Sequence, residues 1–206
     1  FTFNGRSQDA TVLDPVSGDT TATIWLGGKP EFAVTDLKGH VYVNIEDKSE
    51  VASIDARTNK VLNRWSIAPG EEPSGLALDA TNRRLFSVCG NKMMMVSDPD
   101  NGKVVTSVAI GNGPDACQFD PGTKLAFSSN GEGTITVVRQ KSADEYEVID
   151  NVKTQRGART MTLDPATHDI YVVTAEFGET PKPTTEHPRP RPAMVPNTFT
   201  IIQLQK

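Results

Sequence analysis

The chain has 206 residues, of which 36% are hydrophobic, 23% charged and 6% aromatic, a composition typical of globular proteins and not of disordered or collagen-like ones. The 21 Lys and Arg residues against 26 Asp and Glu residues give a net charge of −5, which argues against a general affinity for nucleic acid or anionic lipid and leaves only a local basic patch open. No apolar stretch approaches the roughly 18 residues of a membrane span, so the sequence predicts no transmembrane helix.

A short repeated pattern occurs four times along the chain: a small turn, a brief apolar stretch and an aspartate. The repeats begin 43, 41 and 44 residues apart, and the aspartate lies six residues after the first position every time. They occupy residues 30–36, 73–79, 114–120 and 158–164, so the aspartates are Asp36, Asp79, Asp120 and Asp164. A run rich in β-branched and aromatic residues begins five or six residues after each aspartate, which favours a second strand there.

Each repeat predicts four strands joined by three turns. Asp120-Pro121-Gly122 shows the turn chemistry: a side-chain acceptor, a fixed φ and a residue that tolerates positive φ. No apolar pattern of period 3.6 is long enough to form a helix. Four short strands in about 40–45 residues are typical of one β-propeller blade. We therefore predict an all-β chain, a β-propeller of four-stranded antiparallel blades.

The blades follow from the repeats in chain order. Residues 1–28 form a partial blade, whole blades occupy residues 29–71, 72–112 and 113–156, and the last blade, at 157–206, carries a proline-rich insertion at 176–196. Strand counting gives the first blade no first strand and the last blade no fourth strand. We expect the chain to be the C-terminal part of a seven-bladed ring, completed by a missing propeller portion or by a second chain, because open blade faces and edges would otherwise stay exposed.

The stretch Val41-Tyr42-Val43-Asn44, together with residues 27–30, 53–55 and 59–61, resembles the YVTN-type repeat of YncE-like bacterial propellers. The resemblance extends over nearly the whole chain and implies a propeller that is usually seven-bladed. It also implies a bacterial protein located in the periplasm or outside the cell. It indicates the fold but not the activity, because propeller scaffolds host unrelated functions.

One face of such a propeller carries two classes of loops around the channel mouth, which makes it the expected binding surface. The loops from strand four to the next strand one are residues 27–31, 70–74, 111–115 and 155–159, and the loops from strand two to strand three are 44–48, 90–92, 130–133 and 176–196. The residues expected nearest the axis are Glu31, Ser74, Asp115 and Arg159. Arg156 and Arg159 suit a carboxylate or phosphate. Alternatively, Arg159 pairs with Asp115 or Glu31 and only lines the channel.

The insertion at 176–196 contains six prolines and several charged residues, so we expect extended polyproline geometry. It is interpreted either as a lid or partner-binding arm over the channel mouth or as a solvated insertion without a role. Its His187, and Asn130 in the loop 130–133, complete the set of candidate ligand-binding residues.

No catalytic constellation stands out, since no Gly-x-Ser-x-Gly occurs and no Ser, His and acid have a recognisable spacing. We therefore predict a non-enzymatic binding or scaffold propeller without cofactor or metal, whose partner is a small anion or a protein. The alternative is a metal-assisted lactone or ester hydrolase with a cation held by Glu31, Asp115 and Asn130. Cys89 and Cys117 are expected to be buried thiols, with a disulfide as the alternative.

Overall fold

The structure, a computed structural model, describes residues 1–186, 188 and 190–205. This part of the chain is built from strands, and its helical content is a single 3-10 turn, Glu46–Lys48. No helix in the described ranges is long and apolar enough to cross a membrane. The all-β prediction is therefore confirmed.

Five antiparallel sheets follow one another along the chain. Sheet 1 contains β1 (Thr2–Asn4), β2 (Asp9–Leu13) and β3 (Thr20–Trp25). Sheet 2 contains β4 (Pro30–Thr35), β5 (His40–Ile45), β6 (Glu50–Asp55) and β7 (Lys60–Ser66). Sheet 3 contains β8 (Pro73–Asp79), β9 (Arg84–Cys89), β10 (Met93–Ser97) and β11 (Val104–Ala109). Sheet 4 contains β12 (Pro114–Asp120), β13 (Leu125–Asn130), β14 (Thr134–Gln140) and β15 (Tyr146–Lys153). Sheet 5 contains β16 (Thr160–Asp164), β17 (Asp169–Thr174) and β18 (Thr200–Leu204).

Each sheet is a meander in which consecutive strands pair, as expected for a blade. The first strands of neighbouring sheets contact one another in the order β4, β8, β12 and β16, so these strands surround a common axis. Gly75 marks how closely they approach, because a Cβ atom there would lie 2.5 Å from the backbone nitrogen of Cys117. Any larger residue would push sheets 3 and 4 apart at the axis.

Four apolar clusters form the core, one between each pair of neighbouring sheets. Between sheets 3 and 4, the ring of Phe86 stacks on Phe119 at 5.1 Å and meets Tyr146 edge-on at 5.6 Å. An aromatic residue occupies the equivalent position of each second strand, as the strand registers show: Tyr42, Phe86, Phe127 and Tyr171. The first three are buried against the following sheet, whereas Tyr171 in sheet 5 is half-buried.

The four repeat aspartates close equivalent turns. In each, Oδ1 accepts a hydrogen bond of 2.9 Å from the backbone N–H two residues ahead. The other oxygen reaches the next sheet in three cases: Asp36 Oδ2 lies 3.4 Å from Arg83 Nη1, Asp79 Oδ2 accepts from Gln140 Nε2 at 2.8 Å, and Asp120 Oδ2 lies 2.8 Å from His168 Nδ1. Each of the first three repeats is thus bonded to its successor.

One position of this turn has a left-handed backbone in all four repeats. Its φ values are 111° at Gly39, 55° at Arg83, 58° at Lys124 and 66° at His168. A left-handed φ disfavours residues with a Cβ. Arg83 and His168 nevertheless occupy this position, and both use it to reach the aspartate of the preceding sheet.

Both cysteines are free and buried. Burial in the apolar clusters raises the pKa of Cys89 to about 12, and it raises that of Cys117 as well. The thiols therefore behave as small apolar side chains, as the sequence predicted, and the disulfide alternative is wrong.

Candidate functional site

A β-bulge near the start of β4, β8 and β12 positions three of the residues predicted to lie at the axis. The register shifts between Pro30 and Ala33, between Pro73 and Leu76, and between Pro114 and Cys117. A bulge bends the strand locally and changes the direction in which its side chains point. Glu31, Ser74 and Asp115 each lie directly after the proline of this bulge, and Arg159 occupies the equivalent place before β16.

The preceding sheet holds the backbone of these axial residues. Asn44 donates hydrogen bonds of 3.0 Å to the carbonyl oxygens of Ser74 and Gly75, and the Ser129 hydroxyl donates to the carbonyl oxygen of Arg159. Asn44 and Ser129 are both fully buried. Because such a hydrogen bond is shielded from water, it fixes the position of the axial turn.

A first cavity, of about 260 Å³, lies at the axis and is called here the axial pocket. Its lining residues are Glu31, Phe32, Ser74, Asp115, Ala116, Thr160 and Met161. The structure thus brings together three of the predicted axial residues. Glu31 is neutralised by Lys29 at 2.7 Å, and contact with Glu31 and with Glu46 raises the pKa of Lys29. Asp115 supplies the other carboxylate in the lining of the axial pocket.

A second cavity, of about 640 Å³, adjoins the first and is called here the arginine cleft. Its lining residues are Gly131, Gln155, Arg156, Gly157, Arg159, Ala175, Glu176, Phe177, Gly178, Thr180 and Pro192. Both predicted arginines belong to it. Arg159 Nη1 lies 3.9 Å from Asp115 Oδ1, which joins the cleft to the axial pocket.

The turn that carries the arginines is held against the glycine-rich turn of sheet 4. Gly157 donates a 2.9 Å backbone hydrogen bond to Gly131, and Thr154 donates one of 2.8 Å to Gly133. A Cβ atom at Gly131 would lie 3.3 Å from Arg159 Cδ, so the aliphatic part of that side chain lies on the glycine. The Asn-Gly-Glu-Gly segment at residues 130–133 therefore forms a tight turn that supports the wall of the cleft.

The insertion at 176–196 extends the hairpin between β17 and β18. Its base is paired through the isolated bridge of Phe177 with Met194 and through hydrogen bonds of 2.8–2.9 Å that link Glu176 to Val195 and Gly178 to Ala193. This paired base forms one side of the arginine cleft. The base of the insertion thus lies beside the two arginines.

Of the two remaining candidates, the structure describes only Asn130. Asn130 is fully buried, and its amide donates to the hydroxyls of Thr134 and Thr136 at 3.0 Å, so its polar atoms serve the interior of sheet 4. His187 lies outside the described residues. Among the residues that are described, no three His, Cys, Asp or Glu side chains cluster closely enough to hold a metal ion.

Sequence reasoning missed Phe177 and Gly157 as parts of the site. Phe177 lies three residues after the end of β17 and is the second residue of the insertion, so it belongs to the strand-two to strand-three loops on the predicted binding face. A Cβ atom at Gly157, between the two arginines, would lie 3.9 Å from Phe177 Cε2. The signal was a single aromatic residue at the root of a polar, proline-rich insertion.

The chain matches no protein-family model and no curated protein sequence. Among solved structures, it is similar to a chain of hydrazine synthase from Kuenenia stuttgartiensis, with a TM-score of 0.75 and 16% identity. It is also similar to the WD40 domain of coronin from Toxoplasma gondii, with a TM-score of 0.63 and 17% identity. The fold is that of a β-propeller.

The two similarities cover most of this chain but only about half of each solved chain. They cover 98% and 79% of this chain, but only 58% and 44% of the two solved chains. The chain therefore spans about half the length of the propellers that it resembles. At this level of identity the likeness shows the fold alone, and the five sheets form an open, partial propeller.

Proposed function

We propose that this propeller is a non-enzymatic binding scaffold that holds a small anionic ligand in the arginine cleft. The observation that carries the proposal is the convergence of Arg156 and Arg159 on one cavity, on the face where the inter-strand loops meet. Arginine stays charged at all physiological pH values and offers a planar fork of donors that matches a carboxylate or phosphate.

The acidic residues near Arg156 and Arg159 leave both guanidinium groups available to bind a ligand. Among the described residues, Arg159 forms an ion pair with Asp115 alone, at 3.9 Å, and 55% of the Arg159 side chain is exposed. Within the described part of the chain, the Arg156 guanidinium has no ion-pair partner. An exposed pair at this separation contributes about 0–1 kcal/mol, so a well-placed anion can compete for Arg159.

Calorimetric titration of the folded chain with inorganic phosphate and with acetate tests the proposal. We expect Arg159→Ala to weaken anion binding by about 1.5–3 kcal/mol, the usual range for hydrogen bonds to charged groups, and Arg156→Ala to weaken it less. Arg139→Ala, an exposed arginine at the far end of β14, is the matched control and should leave binding unchanged. Equal affinity in the wild type and in Arg159→Ala would contradict the proposal.

We further propose that the chain is a YVTN-type, YncE-like bacterial propeller, located in the periplasm or outside the cell. The sequence resemblance supports this assignment, and Asn44, the last residue of its Val-Tyr-Val-Asn motif, pins the next blade's axial turn. We also propose that more propeller sequence or a second chain packs on sheet 5 in a seven-bladed ring. Tyr171 supports this, because its three equivalents are buried against a following sheet.

A further inference from the structure

We propose that the anion bound in the arginine cleft is an amphipathic monocarboxylate, an organic acid whose aromatic or aliphatic body lies on Phe177. This inference rests on the proposed function and specifies its ligand class. It starts from the size of the cleft: about 640 Å³ lies within the range of small-molecule sites, roughly 300–1,000 Å³. An inorganic ion would occupy only a small part of it.

The apolar half of the cleft comes from the base of the insertion. Phe177 lines the cleft, yet 53% of its surface remains exposed. Pro192 and the buried Ala175 add further apolar lining. An exposed aromatic side chain in the lining of a cavity offers a ligand an apolar surface to cover.

The polar half lies within reach of this surface. Gly157 separates the two arginines by position in the chain, and its missing Cβ leaves the edge of the Phe177 ring 3.9 Å away from where that atom would be. A ligand whose acid group binds Arg156 or Arg159 therefore has Phe177 in the lining of the same cavity, available to its body. A ligand that contacts both the arginines and Phe177 needs an acid group and an apolar body, so it is an amphipathic acid.

The charge of the cleft favours a monoanion. Glu176 lines the same cavity as Arg156 and Arg159, and Asp115 lies 3.9 Å from Arg159, so two carboxylates already lie near the two arginines. A ligand with a single carboxylate adds less repulsion with these acids than a phosphate dianion does. A carboxylate also accepts two parallel hydrogen bonds from one guanidinium, which fixes its orientation.

Titrations monitored by NMR with hydrocinnamate, propionate, inorganic phosphate and the neutral amide of hydrocinnamic acid test this ligand class. We expect hydrocinnamate to bind about tenfold more tightly than propionate, because its ring buries apolar surface on Phe177. It should also bind more tightly than phosphate and than the amide. Phe177→Ala should remove the advantage of hydrocinnamate over propionate, whereas Phe199→Ala, an equally exposed aromatic residue outside the cleft, should not.

The outcomes separate this inference from the proposed function. If propionate and hydrocinnamate bind equally and only Arg159→Ala weakens them, the site binds anions but the amphipathic ligand class is wrong. Tighter binding of phosphate than of hydrocinnamate also overturns the ligand class. If no anion binds at all, both proposals fail. Phe177 is half-exposed, so the spectrum of Phe177→Ala should show an unchanged fold.

Discussion

The interface between sheets 4 and 5 and the open face of sheet 5 present the same repeat in two environments. At the interface, Asp120 is 1% exposed and bonds to His168, and Phe127 is buried. At the open face, the equivalent Asp164 and Tyr171 are only half-buried. In the described part of the chain, no residue of a following sheet reaches the Oδ2 atom of Asp164.

The difference separates local from inter-blade interactions. The bond from the Ala166 N–H to Asp164 Oδ1 has the same length, 2.9 Å, as its counterpart from Gly122 to Asp120. The turn therefore forms from its own residues, whether or not another sheet lies beside it. Burial and the second carboxylate bond come only with a neighbouring blade, so most of the stabilisation belongs to the interfaces.

The largest expected effect comes from removing a buried aromatic residue. Phe86→Ala should lower the free energy of unfolding by about 3–5 kcal/mol, because it leaves a cavity beside Phe119 and Tyr146. Tyr171→Ala, at the equivalent position of the open face, should cost about 1 kcal/mol. Denaturant unfolding measures both. In a protein whose ring is completed, we expect the two costs to become similar, and a persistent difference there would contradict the proposed packing on sheet 5.

A smaller effect is expected at the aspartates. Asp120→Ala should cost about 1.5–3 kcal/mol at pH 7, since it removes a buried acceptor from His168, Thr123 and the turn backbone. Asp164→Ala should cost less, because its carboxylate has the turn bond alone within the described residues. Thermal unfolding of the two variants gives the comparison, and equal costs would show that the inter-blade bond contributes nothing.

The ionisation of another repeat aspartate, Asp36, predicts how the stability of the fold depends on pH. Burial alone would raise the pKa of Asp36, but the backbone N–H groups of His40 and Lys38 and the His40 ring outweigh it and lower the pKa from 3.8 to about 2. The folded state thus favours the ionised form, so its contribution is full above about pH 4 and is lost as the pH falls towards 2. Asp36→Asn should flatten the stability profile in this interval.

The smallest effect is expected at the candidate site. Arg159→Ala should change the free energy of unfolding by less than about 1 kcal/mol, because its pair with Asp115 is long and exposed. Arg83→Ala, whose guanidinium bonds to Tyr42 at 3.0 Å and pairs with Asp36 and Asp100, is the contrasting variant and should cost more. A large loss in Arg159→Ala would assign this arginine to the scaffold and not to a ligand.

The fold was largely predictable because its signals are local. The spacing of the repeat aspartates and the Asp-Pro-Gly turn at residues 120–122 depend on residues close in sequence, and the structure shows strands and turns at these places. The positions of Arg156 and Arg159 on the loop face followed from the same counting of strands. Each inference required the order of the elements and no knowledge of side-chain contacts.

The remaining parts of the site depend on side-chain packing, which the order of the strands does not give. Thr134 and Thr136 are only four and six residues from Asn130, but strand order does not show that its amide donates to their hydroxyls inside sheet 4. The approach of Phe177 to Gly157 joins two loops of one blade across an intervening hairpin. Periodicity places such residues on a face, but packing decides which of them face the cavity.

The left-handed turn position bears on how such proteins recombine. Asp36 is bonded by Arg83 and Asp120 by His168, so each carboxylate and its partner come from different repeats. A duplicated or exchanged segment that ends at a sheet boundary would separate the two members of a pair. Asp79 and Gln140 form a third pair of this kind, so an exchanged segment keeps these contacts only when it includes both members of a pair, and crossovers between the two members should be harmful.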